Sequence, residues 1–306
     1  MTIPYQVRRY QPEDFQAVAE LAVAASSSPS TACGQPDVAS TNEFEADYGH
    51  RNLEQEGWVA EGEGGTILGF AAGNLRNQTL TIDGPIVLAE ARHQGIGTAL
   101  FARIEQDAHA TGALALEGGV RASNATGQVF LRKHGYKPSR EIYCYEAHSQ
   151  LESPVVAPES YRLGELKPKY LLPFLMVMHE CFPGYRLPSN PQRLFEPDKM
   201  KIFLALDDQD KVAGAVTAFF YPEDHMGYIY HLGVSEPHRR RGLSRALLQG
   251  ACDWLWTSHT PRFIGLSTSD EAGVRHSLYE RVGFKLQYAL VYLKKPVPQP
   301  AKTRGE

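Results

Sequence analysis

The chain has 306 residues, of which 42% are hydrophobic and 22% are charged, and its formal net charge at pH 7 is −4. This composition is ordinary for a folded globular protein, and a slightly acidic balance does not favour nucleic acid or an anionic membrane surface as a partner. The length suggests about two domains, each long enough to bury its own core.

The start of the chain, Met1–Gln6, has no basic region followed by an apolar run, and no stretch approaches the ~20 apolar residues of a membrane-spanning helix. The cysteines are widely separated and form no Cys-x-x-Cys pair; they are Cys33, Cys144, Cys181 and Cys252. Scattered cysteines without a signal peptide are more often reduced thiols than disulfides. We therefore expect a cytoplasmic protein with no membrane segment and no metal site.

Hydrophobic alternation predicts strands in both halves of the chain. The strands of the first half are Tyr5–Arg9, Trp58–Glu61, Thr66–Asn74, Leu80–Leu88, Ala113–Glu117 and Ile142–Ala147. Those of the second half are Lys201–Leu206, Val212–Tyr221, Tyr228–Val234, Phe263–Ser267 and Tyr288–Lys294.

Helical spacing of apolar residues predicts helices between these strands. They are a first helix from Pro12 to Ala22, then Gly95–Ala110, Thr126–His134, Leu172–Cys181, Gly242–Thr257 and Val274–Val282. The stretches 26–40 and 182–197 are expected to be loops. Hairpins interleaved with helices predict an α/β fold with a mixed (α+β) sheet that carries helices on both faces.

Two phrases occur twice, in the same order. Arg92–Gly97 reads RHQGIG and Arg239–Ser244 reads RRRGLS, while Phe130–Tyr136 reads FLRKHGY and Leu278–Phe284 reads LYERVGF. The copies lie 147 or 148 residues apart, and this nearly constant offset indicates an internal duplication.

The duplication predicts two related domains. The N-terminal domain is expected over 1–148 and the C-terminal domain over 161–296. The segment 149–160 contains two prolines and little periodicity, so it is expected to be a linker. The last residues, 297–306, are expected to form a tail outside the fold.

Each copy of the hexapeptide lies between a predicted strand and a predicted helix. The free amides and the positive dipole end of a helix start bind anions, phosphate above all. Small residues leave the backbone open to a phosphate; they are Gly95, Gly97, Gly242 and Ser244. Arginines add positive charge nearby; they are Arg92, Arg239, Arg240 and Arg241. The pattern therefore favours a diphosphate site in each half.

Other glycine-rich motifs fit less well. No Gly-Lys-Ser or Gly-Lys-Thr follows, as a nucleotide P-loop requires, and the third glycine of the dinucleotide fingerprint would fall at Leu100. A single copy could also be a glycine-started helix with a few surface arginines. The recurrence of the pattern argues against that simpler interpretation.

The pattern Arg-x-x-Gly-x-Gly/Ala after a strand, followed some forty residues later by a Phe/Leu-Tyr-x-x-x-Gly-Phe phrase, resembles the GNAT N-acetyltransferase superfamily. The resemblance covers nearly the whole chain, as two tandem copies. It implies that each half is a V-shaped mixed sheet whose arms part to admit acetyl-CoA. It also implies that the hexapeptides bind the pyrophosphate, while the end of a bulged strand pairs with the pantetheine arm.

The resemblance assigns cofactor-binding roles to residues of both halves. In the first half they are Val87, Leu88, Arg92, His93, Gln94, Gly95, Ile96, Gly97 and Asn124. In the second half they are Val234, Ser235, Arg239, Arg240, Arg241, Gly242, Leu243 and Ser244.

The two halves differ at a residue that the family uses in catalysis. Tyr279 stands where the family places a tyrosine near the sulfur of coenzyme A, and its phenol could donate a proton to the departing thiolate. The first half has Leu131 there, which can donate nothing, but it keeps Asn124, which the family often uses to contact the cofactor. Tyr279 could instead be an aromatic packed beside Phe284, and Asn124 could equally be a helix N-cap.

A general base is harder to assign. The family often uses a strand glutamate, but the corresponding strand of the second half holds no acid, and its polar residues are Tyr228, Tyr230 and His231. Alternation places the two tyrosines on one face and His231 on the other. His231 could titrate near neutral pH, although a lone strand histidine is more often structural. In the first half Asp83 matches Tyr230, but its position before Gly84-Pro85 favours a turn residue.

Two further sets of residues follow from position. Acids and a histidine in the turn before the second-half strand could reach the site; they are Glu223, Asp224 and His225. Acceptor selectivity is expected in the loop that follows the predicted helix Leu172–Cys181, which carries Phe182, Tyr185, Arg186, Arg193 and Phe195. Its aromatic and basic side chains suit an acceptor with an apolar body and an anionic group.

We therefore expect an acyl-CoA-dependent N-acyltransferase that moves the acetyl group of acetyl-CoA to a primary amine of a small molecule. The amine would attack directly in a ternary complex in the C-terminal domain, with Tyr279, Tyr230 and His231 as candidate catalytic residues. The N-terminal domain would be a degenerate copy that binds coenzyme A without turnover or only supports the fold. The Val234 amide would polarise the thioester carbonyl. Two alternatives stay open: a non-catalytic acyl-CoA-binding or regulatory module, and activity in the N-terminal domain through Asp83.

Overall fold

The structure is a computed structural model, and it describes residues 3–150, 157–186, 194, 198–269 and 276–298. The chain divides into two compact units. The N-terminal unit combines Met1–Ile142 with Ala289–Glu306, and the C-terminal unit is Tyr143–Tyr288. Part of the expected linker, 151–156, and the tail from 299 lie outside the described residues.

The N-terminal unit contains a mixed sheet flanked by helices. Its first strands are β1 (Tyr5–Arg9), β2 (Gly57–Gly62), β3 (Ile67–Arg76), β4 (Thr79–Val87) and β5 (Ala115–Arg121). Its helices are α1 (Phe15–Ser26), α2 (Thr41–Tyr48), α3 (Leu53–Glu56), α4 (Ile96–Ala110) and α5 (Ala125–Lys133). Strands β1 to β4 pair antiparallel in chain order, and β4 pairs parallel with β5.

The C-terminal unit repeats this architecture. Its strands are the end of β6 (Lys137–Ala147), then β7 (Tyr161–Glu165), β8 (Met200–Asp207), β9 (Val212–Tyr221), β10 (Met226–Val234), β11 (Phe263–Thr268) and the start of β12 (Lys285–Pro296). Its helices are α6 (Leu171–Cys181), α7 (Leu243–His259) and α8 (His276–Arg281). Strands β7 to β10 pair antiparallel, and β10 pairs parallel with β11.

One strand of each unit comes from an unexpected part of the chain. In the N-terminal unit, Leu290–Pro296 of β12 pairs antiparallel with β5. In the C-terminal unit, Tyr143–Ala147 of β6 pairs antiparallel with β11. The expected ranges 1–148 and 161–296 place Tyr143–Ala147 in the N-terminal domain and Leu290–Pro296 in the C-terminal domain. In the structure each of these segments belongs to the other unit. Alternation reveals that a strand exists but does not reveal its pairing partner.

An amphipathic helix covers the same face of each sheet. In α4 the residues Ile96, Leu100 and Ile104 recur at helical spacing and are buried. In α7 Leu243, Leu247 and other apolar residues do the same. Helices α1 and α2 of the N-terminal unit, and α6 of the C-terminal unit, cover separate hydrophobic clusters. The predicted α/β architecture, a mixed sheet with helices on both faces in each of two tandem domains, is confirmed.

Three short elements were not predicted from the sequence, namely α2, α3 and β7. Helix α2 follows Ser40, whose hydroxyl accepts a 3.2 Å hydrogen bond from the Glu43 amide, an N-cap at the end of the expected loop. Over the part of the chain that the structure describes, none of the helices combines the length and the apolar character that crossing a membrane requires.

Candidate active site

A β-bulge interrupts the same strand in each unit. In β4, Gly84 and Pro85 together lie opposite one residue of β3, which shifts the register. In β10, His231 and Leu232 together lie opposite one residue of β9. Bulges bend a strand and turn its backbone away from a neighbour. The two units therefore carry the same local distortion at matching positions.

Next to the bulge, the parallel strands separate. Strand β4 pairs with β5 only from Thr79 to Ile82, and β10 pairs with β11 only from Met226 to Ile229, within the described residues. The remaining residues of β4 and β10 therefore border a V-shaped opening in each unit, as the resemblance implies.

One backbone amide at the end of each strand faces this opening. Leu88 and Ser235 donate their amides to the antiparallel neighbour over 2.9 Å, so these amides belong to the sheet. Since N–H groups alternate in direction along a strand, the amides of Val87 and Val234 point the other way, into the opening. Of the four strand residues predicted to bind the cofactor, only Val87 and Val234 thus offer an amide there.

The two hexapeptides adopt one backbone conformation. His93 and Arg240 have φ of 62° and 61°, and the glycines that start the helices, Gly95 and Gly242, have φ of 86° and 84°. Glycine adopts this left-handed conformation without the strain that a side chain would add. The first amides of α4 and α7, from Ile96 and Leu243 onward, have no helical carbonyl to bind and lie at the positive end of the helix dipole. Each loop therefore has the backbone geometry that favours an anion, and anion binding there stays a prediction; we call the loop and the helix start that follows it the anion site.

The first arginine of each hexapeptide has a structural contact. Arg92 Nε donates to the carbonyl oxygen of Val87 and Arg239 Nε to that of Val234, both over 3.0 Å. These arginines hold the loop against the end of the strand, a role that the sequence alone does not indicate. Arg240 is exposed on the loop.

The side chain at the third position of each hexapeptide also forms a hydrogen bond with another part of its own unit. Gln94 Oε1 accepts a 2.6 Å hydrogen bond from the amide of Ile3, and Arg241 donates to the hydroxyl of Tyr161 over 3.2 Å. Both contacts lead to the start of the unit's first strand, so they hold the loop against the sheet.

A cavity of about 610 Å³ runs from the hexapeptide of the N-terminal unit to the bulge. It is lined by predicted site residues of that unit, namely Val87, Arg92, His93, Gly95, Ile96, Gly97 and Asn124. A cavity of this size accommodates a ligand of drug or cofactor dimensions. A Cβ atom added at Gly97 would lie 3.6 Å from Phe130 and 3.7 Å from Pro85, so the missing side chain leaves space between them. The anion site, which we also call the cradle, and the adjoining cavity fit an elongated ligand that carries a phosphate.

Asn124 lies in this cavity wall, but both ends of its amide bind the protein. Its Oδ1 accepts from the Gly127 amide over 2.8 Å, and its Nδ2 donates to the Ala32 carbonyl over 3.1 Å. The side chain is 4% exposed. Asn124 is thus the N-cap of α5, and cofactor binding by its side chain stays a prediction.

Tyr279 lies on α8 and is half-buried. Its ring packs 5.7 Å from that of Tyr145 and 6.3 Å from that of Phe284, measured between centroids. These rings join the hydrophobic cluster beneath α7, the helix that starts at the anion site. Tyr279 and the anion site therefore lie on the same side of the sheet, whereas the matching Leu131 of the N-terminal unit is buried.

Tyr230 lies where β10 leaves β11, at the apex of the opening. Its hydroxyl shares a hydrogen bond with that of Tyr221, and its ring lies 4.7 Å from that of Tyr228. Burial, followed by the bond to Tyr221, raises the pKa of Tyr230, so its phenol stays protonated at neutral pH. Burial likewise raises the pKa of Tyr228 to about 12. Neither tyrosine can act as a base near neutral pH.

His231 occupies the bulge itself, with φ of 26°. Its ring lies 5.2 Å from Phe182, 5.0 Å from Tyr185 and 6.1 Å from Tyr230. The bulge interrupts the alternation, so the two predicted base candidates are neighbours. The imidazole of His231 is exposed by accessible surface, but the protein around it partly desolvates the ring and lowers its pKa below the ordinary value of 6.5, so the neutral form that can accept a proton predominates at pH 7.

The expected acceptor loop is described in part. Phe182 and Tyr185 contact His231, and Arg186 is also described. Arg193 and Phe195 lie outside the described residues.

Two of the acids considered from the sequence, Asp83 and Glu223, face basic side chains. Asp83 is fully buried and forms an ion pair with Arg51, which also binds Glu56. Burial raises the pKa of Asp83, and the Arg51 guanidinium opposes that effect. Glu223 lies near Lys199, 3.8 Å away, in the turn before β10. Among the described residues, no group of histidine, cysteine and acidic side chains is arranged to hold a metal ion.

Comparison with known proteins connects this geometry to a family. The model of the acetyltransferase (GNAT) family matches residues 16–136 and 172–284. No curated protein sequence matches the chain significantly.

Solved structures share the fold over nearly the whole chain. A GCN5-related N-acetyltransferase from Sphaerobacter thermophilus is 24% identical, with a TM-score of 0.79, over 97% of this chain and 98% of that one. A tandem GNAT protein from the clavulanic acid biosynthesis pathway is 16% identical, with a TM-score of 0.71, over 97% and 100%.

A third similar structure is a glucosamine N-acetyltransferase region of a fungal multi-domain β-N-acetylglucosaminidase. It is 15% identical, with a TM-score of 0.72, over 96% of this chain and 38% of that one. With a family match in both units, and a bulged, V-shaped site repeated in each, the chain belongs to the acetyltransferase (GNAT) family.

Proposed function

We propose that this protein is an N-acetyltransferase that uses acetyl-CoA to acetylate a primary amine of a small molecule, with the chemistry in the C-terminal unit. The observation that carries the proposal is the combination of a bulged strand, one inward-facing amide and a left-handed loop before a helix, present in both units. This combination offers a phosphate cradle and a hydrogen-bond donor along one edge of the opening.

The residues of the cradle suit coenzyme A. The first amides of α7 would bind the pyrophosphate, with Arg240 and Arg241 contributing positive charge. In the N-terminal unit the first amides of α4 would do so, with the 610 Å³ cavity receiving the pantetheine arm. Acetyl-CoA supplies an activated thioester as the acetyl donor.

Three groups of the C-terminal unit would assist the transfer. The Val234 amide would donate a hydrogen bond to the thioester carbonyl, where negative charge develops. His231, neutral at pH 7, would accept the proton of the attacking amine. Tyr279, on the side of the sheet that carries the anion site, would donate a proton to the sulfur. The N-terminal unit has Leu131 at that last position and lacks this donor.

The proposal is tested by placing one acid in each cradle. Gly97→Asp and Ser244→Asp change matched positions in the first turn of α4 and α7, where an acidic residue stabilises a helix but repels phosphate. Calorimetry with coenzyme A should show the loss of one binding site in each variant. Thiol release from acetyl-CoA with pooled primary amines should be lost in Ser244→Asp. Binding without thiol release in the unmodified protein, over a broad amine panel, would instead support a non-catalytic acyl-CoA-binding module.

A further inference from the structure

The opening of the N-terminal unit contains a segment of the α1–α2 loop. Strands β4 and β5 part after Ile82 and Gly118, and Ala32–Gln35, which we call the strap, lies between them. The Gly34 amide donates to the Gly119 carbonyl over 2.7 Å, on the β5 side. The Gly84 amide donates to the Gln35 carbonyl over 2.8 Å, on the β4 side. The strap thus bonds to both arms of the V.

The strap has further anchors on the β5 side. Cys33 forms a β-bridge with Val120, and the Arg121 amide donates to the Ala32 carbonyl over 3.3 Å. The Arg121 guanidinium binds both carboxylate oxygens of Asp37, at 2.9 and 3.0 Å. Asn124 donates to the same Ala32 carbonyl. Bidentate arginine–carboxylate pairs are among the stronger and more directional polar contacts, so the strap is held in place.

The fit between strap and strand leaves no room for a side chain at Gly34. A Cβ atom there would lie 3.0 to 3.1 Å from three backbone atoms of Gly119. Ala32 and Cys33 are 0% and 6% exposed. The segment is therefore packed into the sheet.

The strap separates two cavities. Cys33 lines the 610 Å³ cavity that contains the hexapeptide, whereas Gly34 and Gln35 line a second cavity of about 330 Å³ beyond it. Successive residues of an extended segment face opposite sides, so the strap forms a wall one chain thick. The second cavity also contains Thr81 and Ile82, the last paired residues of β4.

We propose that the strap closes the N-terminal site against acceptors, so that this unit holds acyl-CoA and shields its thioester without transferring the acyl group. The inference rests on the proposed function, because it takes acyl-CoA as the ligand of the 610 Å³ cavity. A thioester near Val87 would meet the strap where an amine would have to approach. The absence of a proton donor at Leu131 agrees with a holding role. The stretches 187–193 and 195–197 of the C-terminal unit, which follow α6 as the strap follows α1, lie outside the described residues.

The test uses hydroxylamine as a small nucleophile in the Ser244→Asp background, which leaves only the N-terminal cradle intact. Hydroxylamine forms a new C–N bond with the acetyl carbon of acetyl-CoA, the C–S bond breaks, and the thiolate takes up a proton, so free thiol reports the reaction. With protein in excess over acetyl-CoA, we expect thiol release to be about tenfold slower than in buffer, since an enclosed site excludes external reactants.

Two variants loosen the strap by different means, so that misfolding of one does not decide the result. Arg121→Gln breaks the pair with Asp37, and Gly34→Val forces the strap away from Gly119. Arg9→Gln is the matched control, because Arg9 forms a bidentate pair with Asp107, at 2.9 and 2.7 Å, elsewhere in the same unit. We expect Arg121→Gln or Gly34→Val to restore most of the rate in buffer and Arg9→Gln to keep the protection.

The outcomes distinguish a failure of the proposed ligand of the N-terminal unit from a failure of the proposed role of the strap. If Ser244→Asp protein shows no calorimetric binding of coenzyme A, the proposed N-terminal ligand is wrong and the strap proposal fails with it. If it binds but hydroxylamine reacts as fast as in buffer, the ligand stands and the strap proposal is overturned. Full protection in folded Arg121→Gln and Gly34→Val proteins would also overturn it.

Discussion

The Nε atom of Arg239 donates a 3.0 Å hydrogen bond to the carbonyl oxygen of Val234. Arg92 makes the same bond to Val87 in the first unit. The carbonyl that accepts it belongs to the residue whose amide faces the opening, so the guanidinium fixes the strand end and the anion loop relative to each other. The first arginine of the repeated phrase is thus a positioning residue, whatever charge it also supplies.

Replacement of Arg239 by lysine keeps the charge but cannot reproduce this directional contact. We expect Arg239→Lys to weaken coenzyme A binding at the C-terminal site about tenfold, the size of one charge-assisted hydrogen bond. Calorimetry measures the loss, and Arg245→Lys on α7 serves as a control for arginine removal nearby. Unchanged affinity in Arg239→Lys would show that charge alone matters at this position.

Tyr279 is proposed to protonate the leaving sulfur. Tyr279→Phe keeps the ring that packs on Tyr145 and Phe284 and removes only the hydroxyl, and the thermal unfolding midpoint checks that the variant is folded. We expect kcat to fall about 100-fold, as for loss of a general acid, while KM for acetyl-CoA stays similar. A Tyr145→Phe variant controls for loss of a neighbouring hydroxyl. Equal kcat in Tyr279→Phe and the unmodified protein would remove the assigned role.

His231 gives the reaction a predicted pH dependence. Partial desolvation lowers the pKa of His231 below 6.5, so the imidazole loses its proton at lower pH than a free histidine and its neutral form predominates at pH 7. We expect kcat/KM to show an acid limb as the pH drops through this lowered pKa, beside the rise with pH that deprotonation of the free acceptor amine causes. The pH–rate profile of His231→Gln should lose that acid limb together with most of the activity. Retention of the limb in the variant would assign it to another group.

The Asp83–Arg51 pair is expected to serve stability. Arg51→Leu would leave the buried Asp83 carboxylate without its partner, and we expect the free energy of unfolding to fall by about 3 kcal/mol or more. Denaturant unfolding of the full chain measures it. Asp83→Asn tests the alternative that Asp83 is a base: we expect turnover to persist, whereas a loss of turnover in folded protein would place catalysis in the N-terminal unit.

The repeated phrases predicted the site more fully than alternation predicted the fold. Gly95 and Gly242 are readable from sequence because a helix that starts after a left-handed residue favours glycine there. The sequence indicates only the charge of Arg92 and Arg239, since a contact to a carbonyl five residues back leaves no signal in the composition.

Contacts between residues far apart in the chain could not be predicted from the sequence, for a different reason. Nothing in the stretch 26–40 indicates that Gly34 would pack on Gly119, since neither residue's local pattern refers to the other. Alternation predicts opposite faces for His231 and Tyr230 because it assumes a regular strand, whereas the bulge at His231 breaks that regularity and the two rings lie 6.1 Å apart.

The pairing of Leu290–Pro296 with β5, and of Tyr143–Ala147 with β11, has a consequence for how such a chain can be divided. A cut in the stretch 149–160 would give two fragments that each lack a strand the other carries. Deletion of 289–306 would remove a strand from the sheet of the N-terminal unit and leave the sequence of the C-terminal unit intact. A fragment that is meant to contain one complete repeat must therefore include the strand from the other end of the chain, either on a separate peptide or joined to the fragment by circular permutation.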